Sequence, residues 1–206
     1  MMSDTVGAGG ALENLPRAFR PRACLPENVF ARPWTRYLVF DPGWLFGSAE
    51  DGSSARLLLE GSDGGVCMLN LDEWESGVSL EESTFRIDAS TTPDAYRAKL
   101  IGTEPSSAWM YGMERFGFVP ESDDWCIYTE RAGDLGVLAV RDGFALERLA
   151  PAIRKLEACE IRAAIAGASP WAKWALLDPR IPPTWRSELI RNYGDSGGRG
   201  GSEPRS

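Results

Sequence analysis

Apolar and polar positions change their spacing along the chain. Tyr37-Leu38-Val39-Phe40 is a short apolar run closed by Asp41-Pro42-Gly43. Residues 55–60 and 66–71 are two further runs, joined by Gly61-Ser62-Asp63-Gly64-Gly65. Short apolar runs between turn-forming residues predict strands, and a Gly-rich joint supplies the positive-φ positions of a hairpin loop. Residues 84–89 alternate, with Phe85, Ile87 and Ala89 on one side and Thr84, Arg86 and Asp88 on the other. That period of two predicts a half-buried strand. Together the four segments predict an antiparallel meander.

Helical signals follow. Thr92-Pro93-Asp94 places a capping hydroxyl, a first-turn proline and a first-turn acid ahead of a helix over 95–101. Residues 107–116 predict another short helix, with Trp109, Met110 and Met113 on one side. Residues 125–131 and 135–141 predict a second hairpin, turning at Ala132-Gly133-Asp134. A turn over 144–149 then leads through Pro151 into a helix over 152–166, which Gly167 stops. Ser169-Pro170 opens a short helix through Trp171, Trp174 and Leu177, and Pro183 opens a last one to Tyr193, with Gly194 at its end. Strands first and helices last is an α+β order. The expected architecture is an antiparallel sheet, meander plus hairpin, with the C-terminal helices packed on one face.

Length and composition bound this picture. The 206 residues, 43% hydrophobic with eight tryptophans, suit one domain with its own core. That domain is expected over 15–193, between tails at 1–14 and 194–206 too polar and Gly-rich to order themselves. The four cysteines (Cys24, Cys67, Cys126 and Cys159) form no CxxC pair, and are expected reduced and mostly buried. No apolar run reaches membrane-spanning length and no signal peptide is evident, so a cytoplasmic protein without membrane association is expected.

The absence of histidine excludes Ser–His and Cys–His catalysis and imidazole metal ligation. Gly194-Asp195-Ser196-Gly197-Gly198 spells the serine-loop string of chymotrypsin-like proteases, but no imidazole is there to take the serine's proton. Phosphate-cradling loops and a GxSxG elbow are missing. Neither a cofactor nor a metal is therefore expected. Carboxylates are plentiful, including Asp123-Asp124, and acids in pairs can run hydrolysis or hold magnesium. On a helix over 152–166, Glu157 and Glu160 would share the apolar stripe, as structural partners of arginine or as a functional acid pair. Trp171, Trp174 and Trp185 suit core packing. As a nucleic-acid platform they lack basic neighbours beyond Lys173, Arg180 and Arg186.

Charge is unevenly spread. Residues 41–94 carry twelve acidic residues against Arg56 and Arg86, so the whole excess behind the net charge of −8 lies there. Such a field repels nucleic acid and anionic lipid, and steers basic partners toward it. The small acidic α+β character and the hairpin Trp125-Cys126-Ile127-Tyr128-Thr129-Glu130-Arg131 to Val137-Leu138-Ala139-Val140, with no catalytic motif, resemble the immunity proteins that accompany bacterial polymorphic toxins. The resemblance implies a non-enzymatic module that binds a cognate toxin domain and blocks its active site. Asp72, Glu73, Glu75, Glu81 and Glu82 are then the expected partner-binding carboxylates, with Trp74 an aromatic anchor or a half-buried strand-end tryptophan. Two rivals remain: a small carboxylate-based hydrolase using Glu157, Glu160 and Asp123-Asp124, and a structural subunit of a larger assembly.

Overall fold

A computed structural model of the protein describes residue 15 and residues 17–46, 53–101 and 115–194. The expected tail at 1–14, the expected tail at 194–206 except Gly194, most of the GDSGG string and residues 107–114 of the expected second helix lie outside them. The fold is α+β, with six strands in one antiparallel sheet and nine helices among the described residues. The strands are β1 (Arg36–Phe40), β2 (Val66–Asn70), β3 (Thr84–Ile87), β4 (Arg115–Pro120), β5 (Trp125–Glu130) and β6 (Leu135–Val140), in the order β1-β6-β5-β4-β2-β3.

The sheet order differs from the expected one. The meander is β4-β5-β6, and β1 joins its end with Phe40 opposite Gly136. β2 and β3 pair as predicted but lie on the far side of β4. Residues 55–60 are not a strand. They belong to α2 (Ser53–Glu60), which follows α1 (Gly43–Phe46). Ala55 and Leu58, three residues apart, are both buried, and Arg56 pairs with Glu60 one turn on. An apolar run this short fits either period, and burial of an i,i+3 stripe decides for the helix.

The helices cover both faces of the sheet, the last three together on one of them. One face packs Val39, Leu69, Val119, Tyr128 and Val137 against an N-terminal strap carrying Phe19, Val29 and Phe30. The same core takes in α7 (Ile161–Ile165), α8 (Ala172–Ala175) and α9 (Pro183–Tyr193). The other packs Leu38, Met68, Phe118, Ile127 and Leu138 against α1, α2, α4 (Pro93–Ile101), α5 (Gly143–Arg148) and α6 (Ala150–Lys155). A sheet covered twice needs apolar residues on both sides of its strands, which is why β4, β5 and β6 are apolar without alternation.

The long helix expected over 152–166 is broken. α6 ends at Lys155, Glu157 takes a left-handed φ of 50°, and α7 begins at Ile161. The break serves the sheet: Val39 N–H donates to Cys159 C=O at 2.7 Å and Cys159 N–H to Val39 C=O at 3.0 Å, sealing the outer edge of β1. β3, the opposite edge, has four residues. Thr84 N–H meets Glu81 C=O before the strand runs, and Asp88 N–H meets Thr91 Oγ1 just after it. Short and blunted edges resist pairing with foreign strands.

The N-terminal strap is tied to the last helix. Tyr193 Oη accepts Val29 N–H at 2.9 Å and donates to Glu27 C=O. Asn192 Nδ2 donates to Pro26 C=O at 2.7 Å, and Trp185 Nε1 to Leu25 C=O at 3.4 Å.

Candidate functional site

The six residues expected to bind a partner lie on α3 (Leu71–Glu75) and in the connection from α3 to β3. α3 forms because Asn70, at the end of β2, turns the chain and caps the new helix: its Oδ1 accepts Glu73 N–H at 3.2 Å. Asp72 and Glu75, three apart on this single turn, share one side and converge on Arg115 at the start of β4. Arg115 Nε donates to Asp72 Oδ1 at 2.7 Å, Nη2 to Glu75 Oε2 at 2.6 Å, and Arg115 N–H to Asp72 Oδ2 at 2.9 Å. Glu75 Oε1 also accepts Arg22 N–H at 2.7 Å. Burial works against the guanidinium's charge, yet the hydrogen bonds to Glu75 and Asp72 outweigh it and raise the pKa of Arg115. Asp72 and Glu75 therefore hold α3, β4 and the strap together.

Glu73 is half-buried, and its charge counteracts the burial that lowers the Lys99 pKa. Glu81 and Glu82 are exposed, and Ser79 Oγ–H donates to Glu82 Oε2 at 2.7 Å. Val78, a rare large apolar side chain on the surface, stands between these acids and Trp74 in the sequence. Trp74 is partly buried and packed against the core, the half-buried alternative of the two.

The acids of the hydrolase reading are not gathered. Glu157 is exposed at the break after α6, and Glu160 pairs with Arg36 at 3.1 Å, so no single helix face presents both. Asp123, in the β4–β5 turn with a φ of 57°, is gripped by Arg32 and Arg141, whose guanidinium carbons lie 4.5 and 5.6 Å from the Trp34 ring centre. Asp124 pairs with Arg148 and accepts Ser122 Oγ–H. Among the described residues no group of three or more Cys, Asp or Glu is placed to hold a metal ion. Cys67 and Cys126 are buried, Cys159 is intermediate and Cys24 is exposed. Burial raises the Cys67 thiol to about 11 and pushes Cys126 up as well, which keeps both thiols un-ionised. No described helix is long and apolar enough to cross a membrane.

Hollows open on the surface among the described residues. One of about 540 Å³ lies between α2 and the β3–α4 turn. In it Arg86 Nη2 approaches Glu121 Oε1 to 2.6 Å, but off the line of an aligned hydrogen bond, so the contact is chiefly coulombic. Two others share Glu130 and Ala132 in their linings and adjoin there as a groove of two parts. Its smaller part, about 340 Å³, is lined by Asp72, Glu75 and Arg115, and its larger part, about 490 Å³, by Trp174 and Trp185. Trp171 is buried, but Trp174 is 56% exposed, so the expected tryptophan cluster divides between core and surface. Sequence reasoning missed Arg115 and Glu130 as lining residues. An arginine directly before the apolar run 116–119 was the one local signal for the first.

Comparison of the chain with protein-family models, with curated proteins and with solved structures finds no match.

Proposed function

We propose that the protein is a binding module that docks a basic protein partner through the α3–β3 connection, the role an immunity protein takes toward a toxin domain. One observation carries this reading. The Arg115 guanidinium holds Asp72 and Glu75 of the acidic segment, whereas Glu81 and Glu82 stand exposed and Glu73 half-buried within ten residues of one another. Val78 adds exposed apolar surface to the same connection. Carboxylates around an apolar centre suit a partner surface of lysine and arginine, with charge setting the rate of encounter.

The test is a triple reversal, Glu73→Lys, Glu81→Lys and Glu82→Lys, with Glu75 left intact because Arg115 depends on it. Association with the product of the adjacent gene is measured against salt. The parent's association rate is expected to fall steeply as salt shortens the Debye length from about 10 Å at 0.1 M to about 3 Å at 1 M. The triple variant is expected to keep its fold, associate at least about tenfold more slowly and fail to protect cells making that product. A folded variant that binds and protects like the parent overturns the reading.

A further inference from the structure

The exposed indole of Trp174 has no part in the core, and exposed tryptophans concentrate where proteins bind others. Phe144, another exposed ring, lies under the Arg148 guanidinium at 5.0 Å. Trp174 instead forms a wall of the larger hollow with Ile181 and Pro182, and Glu130, Asp134 and Asp178 line the same space. Its volume of about 490 Å³ falls within the roughly 300–1,000 Å³ of sites that enclose small ligand groups.

The carboxylates are arranged to receive a cation. Glu130 is positioned by neutral donors, Leu25 N–H and Tyr128 Oη–H, both 2.9 Å from Oε2. Asp134 stands exposed in the β5–β6 turn. Asp178 already shows the geometry of a guanidinium host: Arg180 reaches it through Nε at 3.0 Å and Nη2 at 2.6 Å, and through its own N–H at 2.8 Å. The Arg180 side chain is 90% exposed and that of Asp178 18%, so water screens the pair from the Arg180 side and an incoming guanidinium competes for the same carboxylate. Across the joined groove five carboxylates stand against three guanidinium groups.

We propose that this groove receives an arginine from a loop of the basic protein partner, its guanidinium stacked on Trp174 and paired with Glu130, Asp134 and Asp178. The aliphatic stem lies along Ile181 and Pro182, the division of labour that long basic side chains favour. The proposal rests on the docking reading above and extends it: Asp72 and Glu75 line the groove's other end, so α3 connects the two surfaces.

The experiment titrates the full-length protein with triarginine amide and follows the Trp174 indole N–H resonance, assigned by its loss in Trp174→Phe. Tricitrulline amide, of nearly the same shape without charge, and triglutamate serve as comparators. Triarginine is expected to shift the Trp174 resonance saturably, tricitrulline about tenfold more weakly and triglutamate not at all. The double variant Asp134→Asn, Asp178→Asn is expected to weaken triarginine about tenfold and to leave the tricitrulline response unchanged. Equal shifts from triarginine and tricitrulline, or none at Trp174, overturn the proposal. Partner capture is scored in parallel. Capture lost on reversing Glu73, Glu81 and Glu82, without any shift at Trp174, removes the groove and leaves the docking reading. A triarginine shift at Trp174 with capture unaffected by that reversal removes the docking reading and leaves the cation site.

Discussion

Arg115 shows how a single side chain decides what its neighbours are free to do. Its side chain is 13% exposed and Glu75's is 12%, so removing the guanidinium leaves carboxylate oxygens with little water to replace it. Arg115→Ala is therefore expected to cost about 2 kcal/mol, in line with the roughly 1–3 kcal/mol for an unsatisfied buried group. In a domain of this size that is a fall of about 4–8 °C in Tm, measurable by calorimetry. An unchanged Tm would show the cluster to be a surface ornament. The same residue marks where sequence reading stopped. Asp72, Glu73 and Glu75 are visible as acids, but which of them is held depends on a guanidinium forty residues away, and no local pattern encodes that pairing. Asp123 and Asp124 are likewise neutralised by Arg32, Arg141 and Arg148 from other elements.

Elements were legible where local chemistry was decisive. Thr92 caps α4 as its hydroxyl predicts, with Ala95 N–H 3.1 Å from Oγ1, and the β5–β6 hairpin turns where its Gly and Asp stand. The helix break at Glu157 carries no Gly or Pro and was not legible, because the pairing of Cys159 with β1 imposes it from outside. β4 escaped notice because its run Phe116-Gly117-Phe118-Val119 belongs to a strand buried on both faces, whose pattern does not alternate. Its glycine has a defined use. A Cβ at Gly117 would stand 2.3 Å from Cε2 of Phe19, so the strap's ring lies directly on the backbone of the sheet. Gly117→Ala is expected to destabilise by about 1–3 kcal/mol through overpacking, read as a lower urea midpoint. The pair Gly117→Ala, Phe19→Leu is expected to recover part of that loss. No recovery would show that the ring is not the obstacle.

At the scale of the whole molecule, one sheet holds two cores, and the first and last described segments meet over one of them. Tyr193 supplies the closure. Its hydroxyl serves Val29 N–H and Glu27 C=O at once. Tyr193→Phe keeps the ring and orphans both backbone groups, so a loss of about 1–3 kcal/mol is expected. The check is a lower denaturation midpoint at unchanged m-value, which separates lost stability from a changed unfolded state. A variant as stable as the parent would show that water replaces the hydroxyl without cost. The tie also imposes an order in time. During synthesis the strap emerges before α9, which completes its core about 160 residues later, and a ribosome adding roughly 5–20 residues per second leaves that interval open for some ten to thirty seconds. Until then Phe30 and Tyr37 lack the ring of Tyr193, and the face they build with Phe19 is uncovered hydrophobic surface. Over that interval the nascent chain is exposed to chaperones and to its neighbours on the polysome, and cover for this face arrives only with α9.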